Sequence, residues 1–188
     1  MSRRGQVVVI IAVLIPIVLL LLAVAVDGGR LYAENARLER ALQSGSNAGI
    51  SVVAEQMVTL AVARQTVMAG MPSPEPPILS TPTPPLDDVV AWLTNDDRAT
   101  LVSALLNATA QAEAMAYAAR NGIDFTDPEI LEIDVIYPQT GFNAYDDSII
   151  MLRLKLMATR RTRILLAGLL GREFVELSGE AISELRVR

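Results

Sequence analysis

The chain has 188 residues, 52% of them hydrophobic and only 4% aromatic, with a mean hydropathy of +0.38. That length suits one domain with appendages, and that hydropathy demands a long apolar segment. An excess of acids over bases leaves a net charge of −5, which argues against a nucleic-acid binder that works by neutralising phosphates. Cysteine and histidine are absent, and Lys155 is the one lysine. Disulfides, thiolate nucleophiles, imidazole catalysis and Cys/His metal sites are therefore excluded. The composition points away from an enzyme, and no cofactor, metal or small-molecule substrate is expected.

Val7 to Val26 reads VVVIIAVLIPIVLLLLAVAV without a charge. At about 1.5 Å per residue it spans roughly the 30 Å of a bilayer's hydrocarbon core. Arg3 and Arg4 precede it and Asp27 closes it. The positive-inside rule then places residues 1–6 in the cytoplasm and the C-terminal domain outside. A cleavable signal peptide would carry an apolar run of only about 7–15 residues, so an uncleaved single-pass anchor over 7–26 is expected. Pro16 lies mid-span, where it bends the helix and frees the carbonyl near Ala12. Asp27 and Arg30, three apart, share a helix face at the membrane edge.

Residues 27–70 continue as an extended amphipathic helix. Leu38, Leu42, Gly45, Ala48, Gly49 and Val52 recur at helical spacing, with Arg37, Arg40, Asn47 and Glu55 between them. Small residues in the middle of that stripe permit close helix approach. The face can pack on the chain's own domain or on other subunits; its reading as a subunit-packing face makes Gly49→Leu a block to assembly. Residues 71–86 hold seven of the ten prolines and form a linker or surface loop.

An α+β pattern fills 87–188. A helical turn covers 87–93. Thr94 and Asp97 have the spacing of a capping box for a helix through Leu101, Leu105, Ala108, Ala112, Met115 and Ala119, stopped at Asn121-Gly122. Residues 130–137 alternate as a strand with Leu131, Ile133, Val135 and Tyr137 inward, and 138–147 form a loop. Residues 148–158 make a second strand, with Leu152, Leu154 and Leu156 on one face and Arg153 and Lys155 on the other. A short apolar helix over 163–170 stops at Gly171. The last strand, 173–188, points Glu176, Glu180 and Glu184 outward, toward Arg153 and Lys155 if the strands are neighbours. The result is a small antiparallel sheet covered on one face by helices, an extracytoplasmic domain expected to fold without the N-terminal helix.

Other constellations are weak. The pairs Asp87-Asp88, Asp96-Asp97 and Asp146-Asp147 are adjacent in sequence and diverge in space, so none is a carboxylate dyad. The last pair, with Asn143, lacks the spacing of a calcium loop. Asn107-Ala108-Thr109 matches a glycosylation acceptor inside a predicted helix. Arg160-Arg161-Thr162-Arg163 reads as a surface patch at a helix start.

Arg4-Gly5-Gln6, the apolar run interrupted by Pro16, and Asp27-Gly28-Gly29-Arg30-Leu31-Tyr32 together resemble the opening of TadE/TadG-like pilus-assembly proteins. The C-terminal order of strand, apolar segment to Leu170-Gly171 and final strand is similar too, so the resemblance covers about 3–50 and 111–188. It implies a pilin-like fold and a minor pilin or pseudopilin of the Flp/Tad system, a type IV-like pilus. It further implies a place in the bacterial cytoplasmic membrane or a surface filament, a role in pilus biogenesis and adhesion, and other pilin or assembly subunits and membrane lipid as partners. The alternative is a membrane-anchored extracytoplasmic binding or sensory domain.

A type IV prepilin cut between Gly5 and Gln6 would leave Ile10 at the fifth mature position, where such pilins carry Glu. The mature chain is therefore expected to keep its first residues apart from Met1. Intact-mass measurement of membrane-extracted protein checks this, and a mass matching a cut after Gly5 would refute it.

Overall fold

The computed structural model describes residues 3–70, 89–123, 126–139, 145–146, 149–164, 171 and 173–187. Helix α1 runs unbroken from Arg3 to Gly70, through Pro16. A 3-10 turn (Val90–Trp92), α2 (Asn95–Leu101) and α3 (Ala104–Arg120) follow. The strands are β1 (Ile130–Ile136), β2 (Tyr145–Asp146), β3 (Ile149–Arg163) and β4 (Phe174–Val187). All pair antiparallel on β3: β4 along one side, β1 and the two-residue β2 on the other. This is the α+β architecture expected from the sequence.

One face of the sheet carries Leu152, Leu154, Leu156, Ala158 and Ala181, all buried against α1 and α3. The other face is charged, because successive strand residues point to opposite sides. There Arg153 meets Glu184 at 2.6 Å, Lys155 meets Glu180 at 2.8 Å and Arg161 meets Glu176 at 3.5 Å. Arg153 and Glu184 stand directly opposite, as do Arg161 and Glu176. Exposed pairs of this kind add only a few tenths of a kcal/mol each, so their effect is on register.

The helical layer is built on close approach. α1 and α3 run antiparallel: a Cβ on Gly45 would lie 2.6 Å from the Ala114 carbonyl oxygen, and one on Gly49 would lie 2.9 Å from that of Ala110. The same two Cβ atoms would strike Leu156 at 2.7 Å and Leu154 at 2.5 Å. Only glycine fits where a helix backbone and a strand side chain both press on α1. Ser46, fully buried, completes the contact by donating to the Leu154 carbonyl at 3.1 Å.

Several local expectations change. The predicted single helix is two, because Ser103 caps a new start by accepting from the Leu106 amide. That restart shifts the buried face to Leu106, Ala110, Ala114 and Ala118, and turns Leu105, Ala108, Ala112, Met115 and Ala119 outward. β1 carries an extra residue between Ile130 and Glu132, so Leu131 faces solvent and Ile130 packs against the core. β3 extends to Arg163, so Arg160–Arg163 lie on a strand and not at a helix start. Residues 165–170 of the expected apolar helix lie outside the described residues, as do the proline-rich stretch 71–86, residues 87–88 of the expected turn and most of the loop after Gln139.

The Thr94–Asp97 capping box is present in both directions. Asp97 also accepts two hydrogen bonds from Arg64 near the end of α1, at 3.0 and 3.1 Å. The Arg64 guanidinium, with hydrogen bonds from Thr94, holds the Asp97 carboxyl at about 2, below its ordinary 3.8. A carboxyl held low stabilises the fold above its unfolded value and loses that contribution as pH falls through the folded one.

Leu38, Leu42, Val53, Met57 and Ala61 of α1 share one core with Leu101, Tyr137 and the sheet. Independence of the 87–188 fragment is thus corrected, because without α1 the sheet would leave Leu152, Leu154 and Leu156 in water.

Two expectations follow from these contacts. Gly49→Leu should destabilise the whole chain by at least the roughly 1–3 kcal/mol of an overpacked contact, whereas Gly28→Leu, whose Cβ meets nothing within 4 Å and which relieves the helix cost of a glycine, should not lower melting. Equal melting of the two variants would refute this packing. Between pH 3.8 and about 2 the wild type should lose the Asp97 contribution, and Asp97→Ala should flatten that part of the curve while costing about 1 kcal/mol at neutral pH. Trp92 fluorescence, at the same end of α1, reports both.

Candidate assembly surface

α1 passes through three environments along its length. Between Ile10 and Val26 every large hydrophobic side chain is 45–63% exposed, so none of the described residues covers this stretch. It belongs to a helix long and apolar enough to cross a membrane by length and composition. Pro16 and Val26 stand in that exposed run, and Val7 lies in the same helix.

The motif at the end of the run is split by environment. Asp27 is buried, while Gly28, Gly29 and Arg30 are exposed. Two glycines in a helix interior cost about 1 kcal/mol each relative to alanine. Neither is required by the chain's own packing, since a Cβ on either would meet no atom within 4 Å. Tyr32, two residues after Arg30, is 79% exposed.

From Leu38 onward α1 is committed to its own fold. Leu38, Leu42 and Ala48 are buried, Val52 is half-buried, and Gly45 and Gly49 are the close-contact points with α3 and β3. The face read as subunit-packing is therefore the intramolecular one, and its small residues serve α3's alanines. The earlier alternative, packing on the chain's own domain, is the one the geometry realises.

Arg160 ties α1's lower part to the sheet. Its guanidinium reaches Glu34 at 3.3 Å, Asp127 at 3.4 Å and Glu129 at 3.0 Å. Three elements thus converge on one side chain: α1, the connection after α3, and β3. Sequence reasoning missed this cluster because its members are 126 residues apart at the extreme.

A second missed surface is the outer side of α3. Leu105 is 80% exposed, and Ala108, Ala112, Met115 and Ala119 share its side without a charge among them. The four-residue spacing of Leu106, Ala110, Ala114 and Ala118 after Ser103 was the available signal. Asn107 lies within α3, as the discounting of its glycosylation motif required. Among the described residues no group of three His, Cys, Asp or Glu is placed to hold a metal ion.

Among the described residues of α1, the uncovered surface is thus the apolar run with the glycine pair above it. No curated protein and no solved structure matches the chain. The family comparison does match, and it falls on this region and the helix above it; residues 111–188, the other part of the resemblance, lie outside the match. Residues 5–65, about a third of the chain, match the model of the Flp pilus-assembly TadE/G-like family, the one its sequence resembles.

Proposed function

We propose that the protein is a membrane-anchored structural subunit, of minor-pilin or pseudopilin type, in a Tad/Flp-type pilus or its inner-membrane assembly complex. The family match over residues 5–65 supports a pilus-assembly role. The finer reading is carried by one observation: the first part of α1 is apolar and uncovered, while the remainder is locked into the sheet. Such a helix presents a rigid domain at a fixed height above a bilayer or a bundle of similar helices. Gly28 and Gly29 support helix–helix contact there, since they weaken α1 locally and leave room that the chain itself does not fill.

The reading places residues 1–6 in the cytoplasm, the span at 7–26, residues 71–86 as a linker and the α+β domain outside, with other pilus components and lipid as partners. It assigns no catalytic step; the part played is packing and, in the assembled pilus, adhesion.

Deletion of the gene should abolish or sharply reduce surface pili, with recovery on complementation. Protease added to spheroplasts should digest the sheet domain. Normal piliation in the deletion strain would overturn the pilus role, and full protection in sealed spheroplasts would overturn the orientation.

A further inference from the structure

β3 runs antiparallel to α1, and its contacts make a ruler along the helix. Leu156 lies against Gly45, and Arg160, four residues on, reaches Glu34. Three further strand residues advance about 10 Å. That is about six helix residues at 1.5 Å each, which brings Arg163 level with the turn of α1 that begins at Gly28. β4 gives the same answer from its side: Ser183 lies beside Gln43, Gly179 beside Leu38 and Leu42, and Phe174 pairs with Arg163. The β3–β4 end therefore stands just beyond the membrane edge at Val26.

The described side chains at this end suit a phospholipid surface. Arg161 and Arg163 are exposed, Phe174 is 40% exposed, and the Arg161 guanidinium lies 5.5 Å from the Phe174 ring centre. On α1 at the same height, Arg30 and Tyr32 are exposed. Aromatic rings favour the headgroup layer, and arginines pair with lipid phosphates. That layer adds about 5–7 Å to each side of the hydrocarbon core, enough to reach the height of Arg163.

We infer that the β3–β4 end, through Arg163 and Phe174, is a second bilayer contact, which together with Arg30 and Tyr32 seats the domain on phospholipid headgroups. The inference rests on the membrane-anchored reading above. Its consequence is mechanical. The Arg160 cluster joins α1 to the sheet just above this contact, so one span plus one hairpin end fixes both the height and the rotation of the domain over the membrane.

The single tryptophan makes the test direct. In a Trp92→Phe background, full-length protein carrying Leu20→Trp, Phe174→Trp or Ile182→Trp is reconstituted in vesicles of phosphatidylethanolamine and phosphatidylglycerol. Quenching by spin-labelled lipid is then measured for each. Ile182 is exposed on the same strand, eight residues from Phe174, and serves as the distant reference. The expected result is strong quenching at position 20 by deep labels. Quenching at 174 by shallow labels should accompany it, with a blue-shifted emission, and none should occur at 182. Quenching at 20 with position 174 as silent as 182 overturns the hairpin contact and leaves the anchor standing. No quenching at 20 overturns the anchor and this contact with it.

Discussion

The architecture depends on one close approach: the meeting of α1 with α3 and β3 at Gly45 and Gly49. Helix backbones approach to a distance that leaves no room for a methyl group, and Leu154 and Leu156 press on the same glycines from the sheet. Glycine weakens an isolated helix, yet here the missing Cβ allows dispersion contacts with Ala110, Ala114 and Ala118 that a larger residue would forbid. Ser46, between the two glycines, satisfies its hydroxyl on a strand carbonyl, so the seam includes no unpaired polar group at that point. Helix α3 and strand β3 are arranged along this line.

The same helix therefore serves two solvents. Its upper part is amphipathic because one side is a protein core and the other is water. Its lower part is apolar all round, as a helix surrounded by hydrocarbon or by other apolar helices must be. The boundary between the two regimes is the Asp27–Arg30 turn. Since α1 is continuous, the lower part and the part packed on the sheet belong to one helix.

Charges lock the fold at its ends and on its open face. Arg64 and Asp97 hold the first short helix to the top of α1, and Arg160 gathers three acids near the bottom. Across the outer sheet, opposed Arg–Glu pairs make a one-residue slip of β4 against β3 unfavourable, because it would place every leucine of β3 and every acid of β4 out of phase. These interactions are individually weak where exposed. Their value lies in selecting one arrangement of elements whose apolar faces could pack in more than one way.

The sequence by itself determined whatever depends on neighbours along the chain. The apolar run to Val26, the capping box at Thr94, the leucine alternation of β3 and the acids of β4 are local patterns with local physical causes, and they were legible without a structure. The β1 bulge and the restart at Ser103 were harder. Each shifts a periodic pattern by one residue, so a continuous period misassigns Leu131 and Leu105. Only the tertiary structure decided which partner the glycine face of α1 meets. Small residues announce that something comes close but not what comes close, and the answer lay some seventy residues away in the alanines of α3. The Arg160 cluster and the height of the β3–β4 end likewise arise from the antiparallel course of β3 along α1, which no local pattern encodes.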